Sequence, residues 1–413
     1  MATDRPEIVV VAEDATMSGG AERVALSSAR GLAERGHPVS LFTAGATLDP
    51  ALDPGLFREV ALLDRAPYWE EWFPASKLTK LQTLLGQPEP GRTFAEFLAR
   101  RDPRRTLVHF HGFHTRLTHG VLDAALDGGF PTLVTMHDYG LTCPNATQYD
   151  YVQGAVCTRR PLSAACWGAS CIHPDAMMLK RLRAARTLGQ RTVLGINRRL
   201  RHLASVSRFA AKVNAGSLPA RAKVHLVLNP IEVTFASPAA PERAEAVLWA
   251  GRMTTEKDPV LAAAAAKTAD MPIQFVGSGD EEAAVRAANP AATMLGWRAP
   301  QEVGTLTSAA RALVLTSRWY ETASLVTLDA MARGIPPVVP SDTAATEWFE
   351  DGAEGLVFER GNVASLARAL ERLRDDAEVT RLGRAAHARF WADPPTMDAH
   401  LDRLEEVYAE VRA

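Results

Sequence analysis

The sequence predicts an α/β protein with two halves, each built on a parallel sheet that helices cover on both faces. Short apolar runs alternate with segments of helical periodicity along the whole chain. The length of 413 residues exceeds what a single hydrophobic core normally serves. A polar stretch rich in proline and alanine, Ser237 to Pro241, separates the two sets of runs. We therefore expect this stretch to be the linker between two domains.

The first half begins with a strand, a loop and a helix. Ile8 to Ala12 is a compact apolar run typical of a buried strand, and a helix rich in alanine and leucine follows from Ala21 to about Arg35. Gly36 ends this helix, and Val39 to Thr43 supplies the next strand. The same pattern predicts five more strands, at Leu107 to Phe110, Thr132 to Met136, Val193 to Ile196, His202 to Ser205 and Val224 to Leu228.

The second half repeats the pattern after the linker. A long amphipathic helix is predicted from Pro395 to Arg412. These boundaries predict one domain over residues 1–236 and another over residues 237–394. Six apolar runs predict the strands of the second domain, at Ala246 to Ala250, Ile273 to Val276, Thr293 to Leu295, Ala312 to Leu315, Pro337 to Val339 and Gly355 to Phe358.

Charge and composition exclude several classes of partner. Lys and Arg total 46 and Asp and Glu total 48, so the net charge of −2 provides no basic field to recruit nucleic acid or an anionic membrane. The N-terminal sequence lacks the pattern of a signal peptide, and no apolar run has the length of a membrane span. We therefore predict a cytoplasmic protein with at most peripheral membrane contact.

Glu321 and Asp329, with seven residues between them, form the most informative pattern. They follow a predicted strand, so Glu321 lies in a loop and Asp329 about one turn inside a helix that ends at Arg333. The backbone N–H groups near Ser324 and Leu325 form a helix N-terminus that suits a phosphate, and the carboxylates suit sugar hydroxyls. Acidic residues on the wet face of an ordinary amphipathic helix are the alternative.

Small and cationic residues follow other predicted strands. Gly19 and Gly20 lie between the first strand and helix, but the pattern is not G-x-G-x-x-G, so hydride transfer lacks its fingerprint. In the second half, Arg252 and Lys257 are spaced to clamp a diphosphate, although solvated surface charge is the alternative. Gly277 to Gly279 and Gly296-Trp297 follow the next two strands. Such loops are where open α/β sheets bind ligands.

The ordered set of motifs resembles the family-four retaining glycosyltransferases of the GT-B fold, over almost the whole chain. In chain order, the motifs are Ser18-Gly19-Gly20-Ala21-Glu22, His137-Asp138-Tyr139, Val206-Ser207-Arg208-Phe209, Asn229-Pro230, Gly251-Arg252 with Glu256-Lys257, Val276-Gly277-Ser278-Gly279, Leu295-Gly296-Trp297, and Trp319-Tyr320-Glu321 with Asp329-Ala330-Met331-Ala332-Arg333-Gly334. The resemblance implies two Rossmann-like domains that face each other across a cleft. It also implies that the terminal helix, within residues 395–413, packs back on the first domain.

The resemblance implies a role for each motif. Arg252 and Lys257 would neutralise the donor diphosphate without a divalent cation at the reaction centre, and Gly19 and Gly20 would close on the same phosphates. Glu321 would engage the transferred sugar and Asp329 the nucleotide ribose. The other contacts implied are Gly251, Gly277 and Trp297 near the nucleotide, backbone N–H groups of Ser324, Leu325 and Val326 at the phosphates, and His137 beside the sugar.

Two departures from the family pattern affect donor preference. Asp329 replaces the usual glutamate and is one methylene shorter, and Ala323-Ser324 stands where Phe-Gly is usual. Neither change removes a charge that the chemistry needs. The resemblance implies a donor that is a nucleotide diphosphate sugar of the UDP or GDP type.

The four cysteines, Cys143, Cys157, Cys166 and Cys171, all lie in one segment rich in glycine, proline, alanine and arginine. Four thiolates can hold a tetrahedral structural zinc, and this is the metal site predicted here. No C-x2-C pair is present, so free buried thiols or a disulfide pair are the alternatives. A reducing compartment argues against stable disulfides.

The function predicted is retaining transfer of a hexose-type sugar from a nucleotide diphosphate sugar to an acceptor hydroxyl. A sugar-nucleotide epimerase or phosphorylase on the same fold, and a non-catalytic sugar-nucleotide-binding protein, are the alternatives. The acceptor is expected to be a sugar, a small molecule or a lipid-linked glycan. An aromatic and basic stretch could line its pocket or touch a membrane, with a partly buried helix as the alternative, at Tyr68, Trp69, Trp72, Phe73, Lys77 and Lys80.

Overall fold

The first half of the chain forms a seven-stranded parallel sheet. The computed structural model describes residues 5–66, 88–192 and 195–413. The sheet order is β3-β2-β1-β4-β5-β8-β9, and β6 and β7 form a separate antiparallel hairpin. The strands of this half are β1 (Glu7–Ala12), β2 (Val39–Thr43), β3 (Glu59–Leu62), β4 (Thr106–Phe110), β5 (Thr132–Met136), β6 (Tyr149–Asp150), β7 (Ala155–Val156), β8 (His202–Ser205) and β9 (Lys223–Leu226).

The second half forms a six-stranded parallel sheet of its own. Its order is β12-β11-β10-β13-β14-β15. Both sheets are parallel throughout, as expected from strands that read as continuous apolar runs. The strands are β10 (Val247–Ala250), β11 (Ile273–Val276), β12 (Thr293–Gly296), β13 (Leu313–Val314), β14 (Pro337–Pro340) and β15 (Leu356–Phe358).

Helices connect the strands and cover both sheets. The α-helices are α1 (Gly20–Glu34), α2 (Pro88–Leu98), α3 (His119–Asp127), α4 (Ala164–Gly168), α5 (Met177–Thr192), α6 (Ile196–Arg199), α7 (Arg208–Asn214), α8 (Pro259–Thr268), α9 (Glu282–Ala288), α10 (Pro300–Ser308), α11 (Leu325–Ala332), α12 (Val363–Arg372), α13 (Asp376–Ala392) and α14 (Met397–Arg412). Short 3-10 turns occur at Pro54–Leu56, Ala215–Ser217, Pro241–Arg243 and Ala344–Glu347. Among the residues that the structure describes, no helix has both the length and the apolar character needed to cross a bilayer.

The terminal helix α14 packs against the first sheet. Its residues Leu404 and Val407 share one buried core with Ile8 and Val10 of β1. The predicted contact between the end of the chain and the first half is therefore present. The domain boundary between residues 236 and 237 stays a prediction.

The first half differs from the sequence predictions at two places, and a further prediction falls outside the described residues. Val193 to Ile196 is not a strand over its described part, because Gly195 has a left-handed φ of 70° and Ile196 begins the short helix α6. The edge strand β3 was not predicted, although Val60 to Leu62 are apolar, and in the structure its residues are only partly buried or exposed. The predicted aromatic and basic stretch from Tyr68 to Lys80 lies outside the described residues.

In each sheet, successive strands are added first on one side and then on the other side of the strand that comes first in the chain. The strand order therefore reverses beside that strand. In the first sheet the reversal lies between β1 and β4, and in the second it lies between β10 and β13. Ligands of open α/β sheets bind in the crevice outside the carboxyl ends of the strands at such a reversal. A ligand is therefore expected at the loops that follow β1, β4, β10 and β13.

Candidate active site

A buried ion pair joins the two loops at the reversal of the second sheet. Lys257 follows β10 and Glu321 follows β13, and the Lys257 ammonium contacts the Glu321 carboxylate directly. The hydroxyl of Ser317 donates to the same carboxylate oxygen. Burial by itself would raise the pKa of Glu321, but the charge of Lys257 and these hydrogen bonds outweigh it and hold the pKa below its ordinary value. Glu321 is therefore ionised at neutral pH.

Arg252 has a very different setting from Lys257. Its side chain is 74% exposed, and its nearest acidic atom, on Glu256, is 3.9 Å away. A pair at that distance and exposure holds the guanidinium only weakly. Its five donors therefore remain available for an anion at the carboxyl edge of the sheet. A clamp formed by Arg252 and Lys257 together stays a prediction.

Glycines allow the loops after β10, β11 and β12 to lie side by side. Gly277 has a φ of 129°, and a Cβ at this position would lie 1.8 Å from the carbonyl oxygen of Gly251. The N–H of Gly277 donates to the carbonyl of Gly296 at 2.9 Å. A side chain at Gly277 would thus force the loops apart. Trp297, directly after Gly296, is 69% exposed, so its indole face is free for the nucleotide base that was predicted there.

Helix α11 begins beside Glu321 with free backbone donors. Ser324 precedes the helix, but its hydroxyl bonds the hydroxyl of Thr327 at 2.7 Å rather than capping the backbone. Among the described residues, the N–H groups of Leu325 and Val326 have no acceptor. These two donors and the helix dipole suit a phosphate oxygen, as the sequence predicted.

Asp329 lies one turn further along α11 and is already paired. Arg333 Nε and Nη2 donate to its two carboxylate oxygens at 2.9 and 3.0 Å. A carboxylate has about four acceptor positions, so this fork leaves room for a ribose hydroxyl. The predicted contact with ribose stays a prediction, and Arg333 is an additional residue that orients the carboxylate.

The loop that carries Glu321 is docked on the first half of the molecule. We call residues 317–324 the Glu321 loop. Thr322, in this loop, donates its hydroxyl to the backbone carbonyl of His137 at 2.7 Å, and Ser207 donates to the carbonyl of Thr322 at 2.6 Å. His137 directly follows β5 of the first sheet. The structure therefore brings His137, Glu321 and Lys257 together.

Gly19 and Gly20 lie where α1 begins. Gly19 is the residue that precedes the helix, and a Cβ on Gly20 would meet no atom within 4 Å. Backbone at this helix start is thus open to a ligand. Contact of these glycines with the donor phosphates stays a prediction.

Comparison with known proteins gives the family. A family model described as Glycosyltransferase Family 4 matches residues 18–235, which is more than half of the chain. The chain belongs to glycosyltransferase family 4. A second model, described as Glycosyl transferases group 1, matches residues 244–376. This second match covers the loops after β10 to β13 and the N-terminus of α11, so both halves of the predicted site fall within matched segments.

A curated relative of this family-four chain is the α-D-kanosaminyltransferase of Streptomyces kanamyceticus. The two are 28% identical over 176 residues, which are 40% of this chain and 45% of the relative. The match therefore spans less than half the length of the relative.

Solved structures show the same fold over nearly the whole length. The sucrose-phosphate synthase of Thermosynechococcus elongatus is 18% identical, with a TM-score of 0.68 over 98% of this chain and 99% of that chain. HepE of Anabaena, in complex with UDP, is 17% identical, with a TM-score of 0.65 over 98% and 100% of the two chains. At these identities the likeness shows the fold alone. The predicted GT-B fold, with two Rossmann-like domains facing across a cleft, is confirmed.

His111 is a site residue that the sequence analysis missed. It follows β4, and its Nδ1 lies 3.0 Å from Nε2 of His137. Burial lowers the pKa of His137 to about 3, with the nearby His400 acting in the same direction, and burial also places the pKa of His111 well below its ordinary value. Both rings are neutral at physiological pH. The sequence signal was His109-Phe-His111, where the strand alternation puts two histidines on one face.

One hydrogen atom lies between Nδ1 of His111 and Nε2 of His137. The surroundings indicate which of the two rings donates it. Nε2 of His111 is buried, and no residue that the structure describes forms a hydrogen bond with it. A buried donor without an acceptor is rarer in proteins than an unsatisfied acceptor, which favours a hydrogen on Nδ1 of His111 rather than on Nε2. His111 then donates to His137 Nε2. His137 consequently carries its own hydrogen on Nδ1, where it can donate to a sugar hydroxyl.

We expect His111→Asn to lower turnover by roughly 10-fold, the effect of losing about one hydrogen bond that orients His137. Nucleoside diphosphate affinity should not change, because the donor loops lie on the other sheet. Nitrogen-15 NMR of the imidazoles should show the Nδ1-protonated form of His137 in the parent protein. His173→Asn, at an exposed histidine, is the control. An Nε2-protonated His137 in the parent protein would contradict this assignment.

Arg360 is a second missed residue, and it holds the Glu321 loop in place. Its Nη1 donates to the carbonyls of Arg318 and Trp319, each at 2.9 Å, and its Nη2 donates to the carbonyl of Ser341 at 2.9 Å. The guanidinium also lies 5.2 Å from the centre of the Tyr320 ring. Arg360 closely follows β15, so its position after a strand was a usable signal.

The four cysteines are not arranged in the structure as the predicted zinc centre would require, and zinc binding stays a prediction. In the described part of the chain, which includes all four, no group of three or more His, Cys, Asp or Glu side chains is placed so that it could hold a metal ion. All four thiols are free. Two of them have separate cationic neighbours: Lys180 Nζ lies 3.4 Å from Cys166 Sγ, and Arg159 Nη1 lies 3.6 Å from Cys157 Sγ. The structure therefore favours the alternative of free, partly or fully buried thiols.

We expect Cys143 and Cys171 to react slowly with a thiol reagent at pH 7.5 in the native protein. Burial raises the pKa of Cys143 to about 11 and also raises the pKa of Cys171, so little thiolate is present. All four thiols should titrate once the protein is unfolded in guanidinium. One equivalent of zinc in the purified protein would contradict this arrangement.

Proposed function

We propose that this protein transfers a hexose-type sugar from a nucleotide diphosphate sugar, of the UDP or GDP type, to an acceptor hydroxyl with retention of configuration. The observation that carries the proposal is the buried pair of Lys257 and Glu321 at the strand reversal of the second sheet. It lies beside the free N–H groups at the start of α11. A cation, an anion-binding helix end and an ionised carboxylate at one place suit a sugar phosphate.

In this proposal one half of the molecule binds the donor and the other half binds the acceptor. Residues 237–394 would bind the donor, because its predicted contacts lie on loops of the second sheet. Residues 1–236, with the helix within residues 395–413, would present His137 and the acceptor. Two relatives support this class of donor: HepE has been solved with UDP and with UDP-glucose, and another relative is named for kanosaminyl transfer. An acceptor that is a sugar, a small molecule or a lipid-linked glycan, and a cytoplasmic location, stay predictions.

The chemistry would rest on positioning and charge. Arg252 and Lys257 would neutralise the diphosphate, and the leaving phosphate would accept the proton of the attacking hydroxyl on the same face of the sugar. In this scheme the two side chains supply the positive charge that a divalent cation provides elsewhere. Glu321, held by Lys257 and Ser317, would fix the transferred sugar through its hydroxyls. The neutral His137 would act as a hydrogen-bond donor, since its low pKa excludes a role as an acid at neutral pH.

A panel of UDP- and GDP-hexoses tests the proposal. At about 100 times its Kd, the true donor should raise the melting temperature by about 2 °C or more, and the enzyme should consume it. Binding without consumption would identify a non-catalytic sugar-nucleotide-binding protein. Neither binding nor consumption of any member would contradict the proposal.

A further inference from the structure

A cavity of about 600 Å³ lies next to the Glu321 loop, on the side of the first half. Tyr320, the residue before Glu321, forms the part of its wall that comes from the second half. The segment that contains the cysteines, residues 143–171, forms a second wall, and the turn after α7 forms the third. None of the predicted donor-binding residues lines this cavity. It therefore adjoins the predicted sugar site from the acceptor side.

The charge of the cavity is positive. Arg159 and Arg160 line it, and no aspartate or glutamate does. Arg159 is paired with the buried Asp150, its Nη1 lying 2.8 Å from Oδ2. Arg160 is exposed, and within the described residues its guanidinium has no hydrogen-bond or ion-pair partner. One full positive charge thus faces the cavity without compensation.

A third arginine, Arg191, adds positive charge behind the wall that contains Ser217. Arg191 donates to the backbone carbonyl of Ser217, which lines the cavity, and to the side-chain oxygen of Asn197. Both acceptors are neutral. Burial lowers the pKa of Arg191, and the positive charge of Arg160 lowers it further, so the two cations are close enough to repel each other. An anion between them would relieve that repulsion.

The walls are held in fixed positions. Gln148 has a left-handed φ of 49°, and its carbonyl accepts a hydrogen bond from the N–H of Cys157 at 2.7 Å. On the other side, the Tyr320 ring packs edge-on against Phe209 with 5.5 Å between ring centres. A residue other than glycine in this backbone region persists only where its surroundings enforce it. The cavity is therefore largely preformed, as small-molecule sites usually are.

We propose that this cavity binds a phosphate or carboxylate group carried by the acceptor, so that the acceptor is an anionic compound. Its volume lies within the range of small-molecule sites. Arginine forks match the paired oxygens of either group. Because the whole chain is close to neutral, this local charge is not part of a general basic surface. The inference rests on the proposed transferase function for its placement on the acceptor side.

Calorimetric titration with three probes tests whether the cavity binds an anionic group. Glucose 6-phosphate, glucuronate and glucose are each added to protein saturated with UDP or GDP, so that the donor phosphate site is filled. At least one anionic probe should bind about 10-fold more tightly than glucose. Preference for glucose 6-phosphate would identify a phosphate site, and preference for glucuronate a carboxylate site. Equal binding of all three probes, or none, would overturn the proposal.

Two variants test whether the anionic probe binds at this cavity or elsewhere on the surface. Arg160→Gln should lose the preference for the anionic probe, and Arg368→Gln, at an exposed arginine of α12, should retain it. Both variants should melt at the temperature of the parent, because both side chains are exposed. Unchanged probe binding in Arg160→Gln would overturn the proposal. If neither nucleotide binds, the donor assignment fails, and the same titration of the free protein still decides the cavity.

Discussion

Replacing Glu321 by glutamine is expected to lower turnover by about 100-fold while nucleoside diphosphate affinity changes by less than about twofold. The amide keeps the size of the side chain and can still accept from Lys257 and Ser317. It loses the charge that is proposed to hold the sugar hydroxyls in the reactive geometry. Steady-state kinetics with the identified donor, together with calorimetry of the nucleoside diphosphate, measures both quantities.

The matched control for this variant is Glu371→Gln. Glu371 is an exposed carboxylate of α12, remote in the sequence from all the strand-end loops of the site. Its replacement should change neither turnover nor affinity. If Glu321→Gln instead weakened nucleoside diphosphate binding and left turnover intact, Glu321 would be a nucleotide contact. Its proposed role would then belong to another residue.

Replacing Lys257 by methionine is expected to lower the free energy of unfolding by about 3–5 kcal/mol. The change leaves the buried Glu321 carboxylate without its cation, so the burial that the charge of Lys257 now outweighs would raise the pKa of Glu321 above 4.5. Arg252→Met, at a side chain that is 74% exposed, should change stability by no more than about 0.5 kcal/mol. Both variants should weaken nucleoside diphosphate binding by about 1.5–3 kcal/mol.

The double variant Lys257→Met with Glu321→Gln isolates the buried charge. Removing the carboxylate as well should restore much of the lost stability, because the uncompensated charge is gone. In the parent, the lowered pKa of Glu321 means that its contribution to stability is present above pH 4.5 and is lost as the pH falls through the folded-state pKa. Urea denaturation at pH 7 of all the variants gives these values. Equal stability of Lys257→Met and Arg252→Met would contradict the buried pair.

Much of the fold could be predicted because buried parallel strands read as continuous apolar runs. β2, β5, β8 and β11 have the predicted bounds, and the other predicted strands that form differ by one or two residues at an end. The strand predicted at Val193 to Ile196 was wrong over its described part, Gly195 and Ile196, because such a short run does not distinguish a strand from a helical turn. The hairpin of β6 and β7 was missed because strands of two residues carry no periodicity.

The candidate site was predicted where each residue lies in the segment that follows a strand, as with Lys257, Glu321 and His137. The sequence could not show how the two halves meet. The bond from Thr322 to the carbonyl of His137 joins residues 185 positions apart and depends on the relative placement of the sheets. The surroundings of the four cysteines could not be predicted for a related reason. Cysteine spacing does not show that Lys180 and Arg159 lie beside two of the thiols.

We propose that this family-four chain transfers a hexose from a nucleotide diphosphate sugar with retention of configuration. Proton NMR during slow hydrolysis, with water as the acceptor, tests it most directly because no acceptor has to be identified. With an α-linked nucleotide hexose as donor, we expect the sugar to be released first as the α-anomer, and we expect Glu321→Gln to slow its release. First release of the β-anomer would contradict the claim.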